Sequence, residues 1–417
     1  MSGITNNGRV PRLRFPEFRG AEPWKVNRFD EVLSPVVRER PKPAETYLGL
    51  GLRSHGKGTF LKLLEDPAKN SMDQLYEVKA NDLIVNITFA WEGAVAIAKE
   101  RDEGALVSHR FPTYTFEKGR TTPGFFRYFI LDKQFVYNLG VISPGGAGRN
   151  RVMSKNDFMK LQVALPSPAE QQKIAECLSS LDDLITLEAQ KLDSLKAHKK
   201  GLMQQLFPRE GETQPRLRFP EFKNTGEWVL KKLEEVSPSV FDGTHQTPTY
   251  TPEGVPFYSV ENLISGNANK FISRANYLLA TKNNKPEIGD ILITRIGKIG
   301  HSQVVTWDHE FSVYVTLAVI KKSKAFNSHF LSHFMQSDFY QSELRARSLP
   351  NAVPPKINLD SLRSTEVLLT NEAEQQRIAL CLTSLDDLIT AQTQKLEALK
   401  THKKGLMQQL FPQVSEE

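Results

Sequence analysis

A stretch of 39 residues occurs twice in this chain, and it constrains the fold more than any other feature of the sequence. Residues 170–208 read EQQKIAECLSSLDDLITLEAQKLDSLKAHKKGLMQQLFP, and residues 374–412 repeat 30 of the 39 positions at a constant offset of 204. A self-similarity of this length indicates that the architecture itself is duplicated. Any fold assigned to the chain must therefore contain this segment in two copies.

Each copy is predicted to form one long helix. Pro168 precedes the first copy and Pro208 closes it, and its only interior glycine, Gly201, weakens a helix modestly. Apolar side chains recur at alternate spacings of four and three, which is the heptad pattern of a coiled coil. The stretch would span about 58 Å at the usual helical rise. The predicted seam comprises Ile174, Leu178, Leu181, Ile185, Leu192, Leu195, Leu202 and Leu206 in the first copy, and Ile378, Leu382, Leu385, Ile389, Leu396, Leu399, Leu406 and Leu410 in the second.

Two arrangements could bury these seams. The two helices could pack on each other, or each could lie independently on its own domain. Since two unlike domains would not require the same helix face, the near-identity of the copies favours mutual packing. Polar residues replace apolar ones in the seam at Glu188 and Lys199, and at the equivalent Gln392 and Lys403.

The duplication extends beyond the helices. The heptapeptide RLRFPEF occurs at Arg12–Phe18 and again at Arg216–Phe222, and Trp24 and Trp228 follow at the same offset. By contrast, residues 33–167 and 237–371 have equal length and little common sequence. We therefore divide the chain into a leader and strap (1–23), a first globular domain (24–168), a first spacer helix (169–208), a linker and strap (209–227), a second globular domain (228–372), a second spacer helix (373–412) and a tail (413–417).

The globular domains are predicted to be mostly β. Runs rich in β-branched residues and separated by glycine and proline indicate strands. They lie at Leu83–Thr88, Gly93–Ala98, Ile291–Thr294, Gln303–Thr306 and Phe311–Ile320, with short helices expected at Thr122–Leu131 and Asn327–Arg345. The predicted fold class is α+β: two mostly-β domains and two long helices, related by a pseudo-two-fold internal repeat.

Charge and composition restrict the classes of partner only loosely. The net charge is +6, and residues 24–168 hold 21 Lys and Arg against 16 Asp and Glu, while residues 228–372 hold 15 against 14. This excess suggests a polyanionic partner, although a mixed solvated surface explains it almost as well. There is no apolar run of membrane-spanning length and no signal-peptide pattern. The two cysteines, Cys177 and Cys381, are expected to be free thiols in a reducing cytosol.

Several motifs together carry a family resemblance. Each long helix opens with AEQQxI, and the globular domains contain DGTHQTP and GDILITRIGKIG in the second and WEGA and SHRFP in the first. These motifs lie at Ala169–Ile174, Ala373–Ile378, Asp242–Pro248, Gly289–Gly300, Trp91–Ala94 and Ser108–Pro112. With the duplicated plan, they resemble the specificity (DNA-recognition) subunit of a Type I restriction–modification enzyme over nearly the whole chain.

The resemblance implies two target-recognition domains, each reading one half of an asymmetric, bipartite site in double-stranded DNA. It implies that the helices form an antiparallel coiled coil that sets the gap between half-sites and docks two methyltransferase subunits. Those partners would use S-adenosylmethionine, and restriction/translocase subunits would use ATP and Mg, so this chain itself should hold no cofactor. The expected location is the bacterial or archaeal cytoplasm. The unlike domains independently argue against a palindromic site, because palindromes mirror two-fold protein symmetry.

Candidate DNA-contacting residues are polar or basic residues in the predicted loops, since such side chains reach phosphates and base edges. They are Arg53, His55, Lys57, Asn86, Trp91, His109, Arg110, Arg149, Asn150 and Arg151 in the first domain, and Thr244, His245, Gln246, Thr294, Arg295, Lys298 and His301 in the second. The alternative for each is a surface charge or a turn-forming residue. A tryptophan such as Trp91 is more often a core residue than a wedge between bases, and Thr244–Pro248 could be a turn capped by Asp242.

No catalytic motif accompanies these candidates. Asn351–Pro355 reads NAVPP rather than a methyltransferase sequence, and the phosphate-loop-like stretch at Gly51–Gly58 lacks the required Ser or Thr. The histidines show no metal-ligand spacing. We therefore expect a non-catalytic subunit. The alternatives are a nuclease or methyltransferase with an atypical site, and a stand-alone two-headed adaptor that binds proteins or sugars.

Overall fold

The structure is a computed structural model that describes residues 9–67, 71–146 and 151–412. It divides into two compact units. The first comprises residues 1–188 and 395–417, and the second comprises residues 189–394. Each unit contains one globular domain together with a segment from each of the two long helices. Among the described residues, no helix combines the length and apolar character needed to span a membrane.

The globular domain of the first unit is built mainly from short strands. Its strands are β1 (Lys25–Arg28), β2 (Leu33–Val36), β3 (Glu39–Pro41), β4 (Tyr47–Leu52), β5 (Thr59–Leu64), β6 (Gln74–Glu77), β7 (Leu83–Val85), β8 (Val95–Ile97), β9 (Leu106–Val107), β10 (Thr113–Phe116) and β11 (Gln162–Leu165). Its helices are α1 (Pro123–Phe129), α2 (Lys133–Val141) and α3 (Lys155–Met159), and the first long helix follows as α4 (Pro168–Leu206).

These strands form three sheets. β1 and β11 make an antiparallel pair, a four-stranded antiparallel sheet has the order β2-β10-β7-β8, and a five-stranded mixed sheet has the order β3-β6-β9-β4-β5. One face of the four-stranded sheet packs against α1 and α2 around a cluster of buried aromatic rings that includes Phe29, Phe126 and Phe158. The loops at the sheet's end therefore project from a close-packed base.

The second unit contains a comparable set of elements. Its strands are β12 (Val229–Lys232), β13 (Val240–Asp242), β14 (Tyr250–Thr251), β15 (Val255–Tyr258), β16 (Phe271–Ile272), β17 (Ile291–Thr294), β18 (Ser302–Val304), β19 (Ser312–Val313), β20 (Leu317–Ile320) and β21 (Glu366–Leu369). Its helices are α5 (Leu233–Val236), α6 (Val260–Ser265), α7 (Arg274–Ala280), α8 (Ser328–Met335), α9 (Asp338–Arg347) and α10 (Leu359–Arg363), followed by the second long helix α11 (Glu372–Leu410).

The two globular domains share a sheet that their sequences do not reveal. The antiparallel order β13-β20-β17-β18 in the second repeats β2-β10-β7-β8 in the first, and the pair β12-β21 repeats β1-β11. The remaining sheets differ, since the second domain has the four-stranded order β14-β16-β15-β19 in place of five strands. Strand order thus survives where sequence identity does not, and the predicted α+β class with an internal repeat is confirmed.

Two predicted elements are each divided in the structure. The run Phe311–Ile320 forms two short strands in different sheets, because a turn in which Leu317 N–H donates to the Tyr314 carbonyl at 2.9 Å separates them. The helical stretch predicted at Asn327–Arg345 forms α8 and α9, and the Ser337 hydroxyl caps the second by accepting from Tyr340 N–H. A backbone turn in the first case and a side-chain cap in the second therefore interrupted patterns that looked continuous.

The long helices place every predicted seam residue in a buried or half-buried position. In the first unit, Ile174 and Leu178 of α4 join a cluster with Leu410 of α11. In the second unit, Ile378 and Leu382 of α11 join a cluster with Leu206 of α4. The seam therefore belongs to the cores of the globular domains as well as to the helix pair.

Ion pairs across the helices show that they run antiparallel within each unit. In the first unit, Lys395 pairs with Glu188 at 2.5 Å and Lys403 pairs with Asp182, so one helix ascends as the other descends. In the second unit, Lys199 pairs with Asp386 at 2.6 Å. The polar seam positions Lys199 and Lys403 are thus partnered by aspartates that are themselves related by the offset of 204.

Candidate nucleic-acid interface

Two separately predicted motifs of the second domain are joined at the end of the shared sheet. Asp242 ends β13, and its Oδ2 accepts from Arg295 at 2.6 Å and lies 3.1 Å from the Nε2 atom of His245. Arg295, which follows β17, also donates to the carbonyls of Val315 and Ile357. One buried arginine therefore connects the DGTHQTP loop to the turn after β17.

The buried Thr294 side chain bridges the two ends of that turn by hydrogen bonds. Its hydroxyl donates to the Lys298 carbonyl at 2.5 Å and accepts from His301 N–H at 2.9 Å. The Lys298 side chain is exposed and the His301 ring is half-buried. Burial and the neighbouring Lys298 hold the pKa of His301 below its usual value, which favours the neutral imidazole.

The structure separates the predicted contacts of the second domain into two groups. Thr294 is 0% and Arg295 is 7% exposed, and their polar groups are engaged inside the unit. The remaining predicted residues present exposed or half-exposed side chains at the same end of the sheet: Thr244, His245, Gln246, Lys298 and His301. Thr294 and Arg295 hold the loops in place through these hydrogen bonds. Their residue types suggested contact with DNA, but residue type does not specify which way a side chain points.

Glycine at position 243 is required by a close backbone approach. A Cβ atom there would lie 1.8 Å from the Val313 carbonyl oxygen. Thr244 N–H donates to that same carbonyl at 3.1 Å, and Val315 N–H donates back to the Thr244 carbonyl. Any side chain at Gly243 would therefore push the DGTHQTP loop off the sheet end.

In the first domain, Arg151 lies on the ring of Trp91. The guanidinium carbon is 5.2 Å from the ring centroid, which is a cation–π distance. Arg151 also donates to the carbonyls of Ser143 and Gly140, while the half-buried Trp91 donates to the Thr88 carbonyl at 3.2 Å. Arg149 and Asn150, predicted as phosphate contacts with Arg151, lie outside the described residues.

The loop between β4 and β5 reaches the same region. His55 N–H donates to the Glu92 carbonyl at 2.7 Å, and Gly56 N–H donates to the Gly93 carbonyl at 2.9 Å. His55 itself has a φ of 62°, in the left-handed region. Arg53, His55 and Lys57 are all exposed on this loop, so its backbone is held against the WEGA motif while its charged side chains face solvent.

Asn86 and the SHRFP segment complete the group in the first domain. The Asn86 side chain accepts from Thr88 N–H at 3.1 Å, and Ile87 N–H donates to the Arg110 carbonyl at 3.0 Å. His109 and Arg110 are exposed and Asn86 is half-exposed. The described candidates of the first domain therefore meet around the turn that follows β7, the counterpart of the turn after β17.

The AEQQ motifs have a role that sequence reasoning missed. Arg14 in the first strap donates to both oxygens of Glu170, at 2.9 and 2.5 Å, and Glu170 raises the pKa of Arg14. Arg218 in the second strap makes the same pair with Glu374. The offset of 204 shared by both partners was the available signal. These charge-assisted pairs fasten each strap to the start of a long helix.

The glutamine that follows each glutamate fastens a helix of the globular domain. Gln171 Oε1 accepts from Thr122 N–H, at the start of α1, at 3.0 Å. Gln375 Oε1 accepts from Asn327 N–H, at the start of α8, at 2.8 Å. In each copy of the repeated motif, the glutamate therefore attaches the strap to the long helix, and the glutamine that follows it attaches the variable domain.

Two buried aspartates brace the strands that lead to the candidate interface. Asp82 accepts from Arg38 at 2.5 and 3.1 Å before β7, and Asp290 accepts from Lys321 and from Lys322 N–H before β17. Neither was predicted. No group of three His, Cys, Asp or Glu side chains is placed to hold a metal ion within the part of the chain that the structure describes.

Comparison with known proteins places these features in one family. A family model described as "Type I restriction modification DNA specificity domain" matches residues 58–197 and 225–401. The chain is 26% identical over 271 residues to the Type I restriction enzyme MjaVIII specificity subunit of Methanocaldococcus jannaschii, covering 62% of this chain and 63% of that protein. The match thus spans just under two thirds of that relative's length.

Two further similarities support the assignment. The putative type I restriction enzyme MjaX specificity subunit of the same organism is 26% identical over 333 residues, covering 76% of this chain and 74% of that protein. The crystal structure of a Type I restriction-modification system S subunit from M. genitalium superposes with a TM-score of 0.62 at 15% identity, covering 97% of this chain and 100% of that one, and so shares its fold. The resemblance carried by the motifs is confirmed, and this chain belongs to the Type I restriction modification DNA specificity domain family.

Proposed function

We propose that this chain is the DNA-recognition subunit of a Type I restriction–modification complex, in which each globular domain reads one half of an asymmetric bipartite site. One observation carries the proposal. In each domain, polar side chains from separate motifs meet at the same end of the shared four-stranded sheet. Because neighbouring strands run antiparallel, the end of β17 and the start of β20 lie together, with Thr294 opposite Leu317.

The side chains at this sheet end suit the recognition of DNA. Arg53, Lys57 and Arg110 in the first domain and Lys298 in the second are exposed cations that can neutralise phosphates. Asn86 and Gln246 carry amide groups that can pair with an adenine edge in the major groove. Since the two sets of residues differ, we infer that the two half-sites differ in sequence.

The helices support the proposed docking of two methyltransferase subunits. Leu184 in the first unit is 38% exposed and its repeat mate Leu388 in the second is 54% exposed. Exposed aspartates at 183 and 387 precede them. Because these exposed apolar positions are duplicated, they suit two copies of a single partner. The cofactors S-adenosylmethionine, ATP and Mg would belong to the methyltransferase and restriction/translocase partners.

We assign catalysis to those partners and binding and positioning to this chain. The described loops supply exposed cations, amides and imidazoles, which contact phosphates and base edges. Because its proposed targets are chromosomal and invading DNA, we propose that the chain acts in the bacterial or archaeal cytoplasm. A direct consequence is that the chain decides where adenine is methylated while its partner determines that methyl transfer occurs.

The proposal is tested by mapping methylated adenines. The chain and the methyltransferase subunit encoded with it would be expressed in a methylation-free host, and modified bases located by single-molecule sequencing. We expect one asymmetric motif with two short specified parts around a fixed unspecified gap. Expression of the methyltransferase without this chain is the control and should give no such motif. Absence of any modification from a soluble complex that also fails to bind DNA would overturn the proposal.

A further inference from the structure

A loop of the second domain presents an apolar side chain entirely to solvent. The loop connects α9 to α10 and is closed at its base, where Leu349 N–H donates to the Lys356 carbonyl at 2.7 Å. At its tip, Val353 is 99% exposed. We call residues 349–356 the tip loop. Single exposed apolar side chains are common on protein surfaces, so it is the position of this loop beside the candidate interface that distinguishes Val353.

The tip loop is fastened to the turn after β17. Gly297 N–H donates to the Pro355 carbonyl at 2.8 Å, and Ile357 N–H donates to the Arg295 carbonyl at 2.9 Å. Arg295 in turn donates from Nε to the Ile357 carbonyl at 3.2 Å, and the Ile357 side chain is fully buried. The loop is therefore continuous with the candidate interface, and its base is anchored in the core.

Exposed cations lie beside the apolar tip. Lys356 closes the tip loop and is bridged to Ile296, two residues before Lys298. Both lysine side chains are exposed, and neither forms an ion pair with another described residue. The two lysines are complementary to the phosphates of a DNA backbone. The apolar tip beside them is complementary to the bases.

The first domain has a basic side chain near the corresponding place. There Met153, which precedes α3, lies on the turn after the central strand, since its N–H donates to the Ile87 carbonyl at 2.9 Å. The buried Met153 corresponds to Ile357, and the preceding connection carries Arg151 on the ring of Trp91. Arg151 thus supplies a basic side chain two residues before Met153 in the first domain, whereas Pro355 stands two residues before Ile357 in the second.

We propose that the tip loop is a third DNA-contacting element of the second domain, in which Val353 makes apolar contact with bases and Lys356 neutralises a phosphate. This inference rests on the proposed DNA-recognition function. Valine has no hydrogen-bonding group, so it can distinguish bases only through a thymine methyl group or through the shape of a base step. Pro350, Pro354 and Pro355 restrict the free loop, which reduces the entropy lost on binding.

The experiment uses the purified complex with its methyltransferase partner and a duplex that carries the mapped site. Affinity is measured for this duplex and for one with a scrambled second half-site, over a series of salt concentrations. The variants are Val353→Ser, Val353→Ala and Lys356→Ala. Leu279→Ser serves as the matched control, because Leu279 is 76% exposed on α7 and lies outside the proposed contact.

We expect Val353→Ser to weaken binding of the correct site about 5- to 20-fold. Val353→Ala should have an affinity between those of the wild type and Val353→Ser, and neither variant should change the salt dependence. Lys356→Ala should weaken both duplexes alike and reduce the salt slope by about one. Leu279→Ser should bind like the wild type.

Equal affinity of the wild type and both Val353 variants for the correct site overturns the inference while leaving the proposed function intact. Loss of complex assembly in the Val353 variants also overturns it, since that result assigns the tip loop to a protein partner. If the wild-type complex itself binds neither duplex, the proposed function fails and the inference fails with it.

Discussion

Arg14 donates from Nε to Glu170 Oε1 at 2.9 Å, and only 6% and 2% of the two side chains are exposed. The pair joins the strap to the first turn of α4, and Trp24 Nε1 lies 3.4 Å from the same carboxylate oxygen. An ionised group at this depth requires a partner. If the partner is removed, the remaining charge stays in a poorly solvated site. Removal of either Arg14 or Glu170 alone would therefore leave an unpaired charge buried beneath the strap.

Replacing Glu170 with alanine should destabilise the chain by about 3 kcal/mol, since the Arg14 guanidinium would stay buried without its partner. Urea unfolding of the full chain followed by circular dichroism measures the effect. The matched control is Glu17→Ala, which removes an exposed pair with Lys173 and should change the unfolding midpoint little. Equal midpoints for the two variants would contradict a structural role for the buried pair.

Reversing the charge at Lys199 should weaken the contact between α4 and α11 in the second unit. The Lys199 ammonium lies 2.6 Å from Asp386 Oδ1, and Lys199→Glu replaces it with a carboxylate facing the same aspartate. This change should lower the free energy of unfolding by about 1 kcal/mol. The double variant Lys199→Glu with Asp386→Lys should recover most of that loss, and Lys200→Glu, at an exposed neighbouring position, is the control. A double-mutant cycle without coupling would show that the pair contributes nothing.

His333 should make the stability of the chain sensitive to acid. Burial and the nearby Lys199 and His329 lower its pKa to about 3, although Asp386 lies 3.9 Å from Nδ1 and Thr383 lies 3.3 Å from Nε2. Because the unfolded chain binds this proton near pH 6.5 and the folded chain does not until about pH 3, stability falls as the pH drops through that window.

The corresponding residue of the first unit is Tyr128, which donates to Asp182. We therefore expect His333→Tyr to lose less stability between pH 7 and pH 5 than the wild type, by up to about 2 kcal/mol. Unfolding midpoints at the two pH values provide the measurement. The wild-type pH dependence in His333→Tyr would exclude the buried imidazole as its source.

Replacing Gly243 with alanine should disturb the DGTHQTP loop, because the new Cβ would lie 1.8 Å from the Val313 carbonyl oxygen. In the complex, we expect Gly243→Ala to lose discrimination against base changes in one half-site, that of the second domain, and to keep it in the other. Gly226→Ala is the control, since a Cβ atom added there would have no neighbouring atom within 4 Å. Methylation rates on substrates altered in either half-site give the result, and equal losses in both halves would argue against a local effect.

The long helices were the part of the chain that the sequence predicted best. The heptad pattern placed Leu178 and Leu382 in the seam, and both are fully buried. Helix α4 begins at Pro168, since proline is favoured at the first position of a helix. Such features depend on residues close in sequence, and periodicity reports them directly.

The candidate interface was less accessible to the same reasoning. Thr294 and Arg295 were predicted to contact DNA, yet they are buried beneath the turn whose surface carries Lys298. Residue type indicated that this segment was a loop at an interface, but side-chain direction depends on the strands packed around it. The tip loop was likewise absent from the predicted sites, because its position beside Gly297 is set by hydrogen bonds between segments far apart in the chain.

By itself, the sequence determined the duplicated plan, the two long helices and the family, because these follow from repetition at a fixed offset and from local periodicity. Only the tertiary structure decided that Arg14 belongs to Glu170, that Asp242 joins His245 to Arg295, and that both globular domains share one strand order. Those relationships connect residues from 3 to 156 positions apart. They depend on which groups become buried together, and burial is settled only when the whole chain has folded.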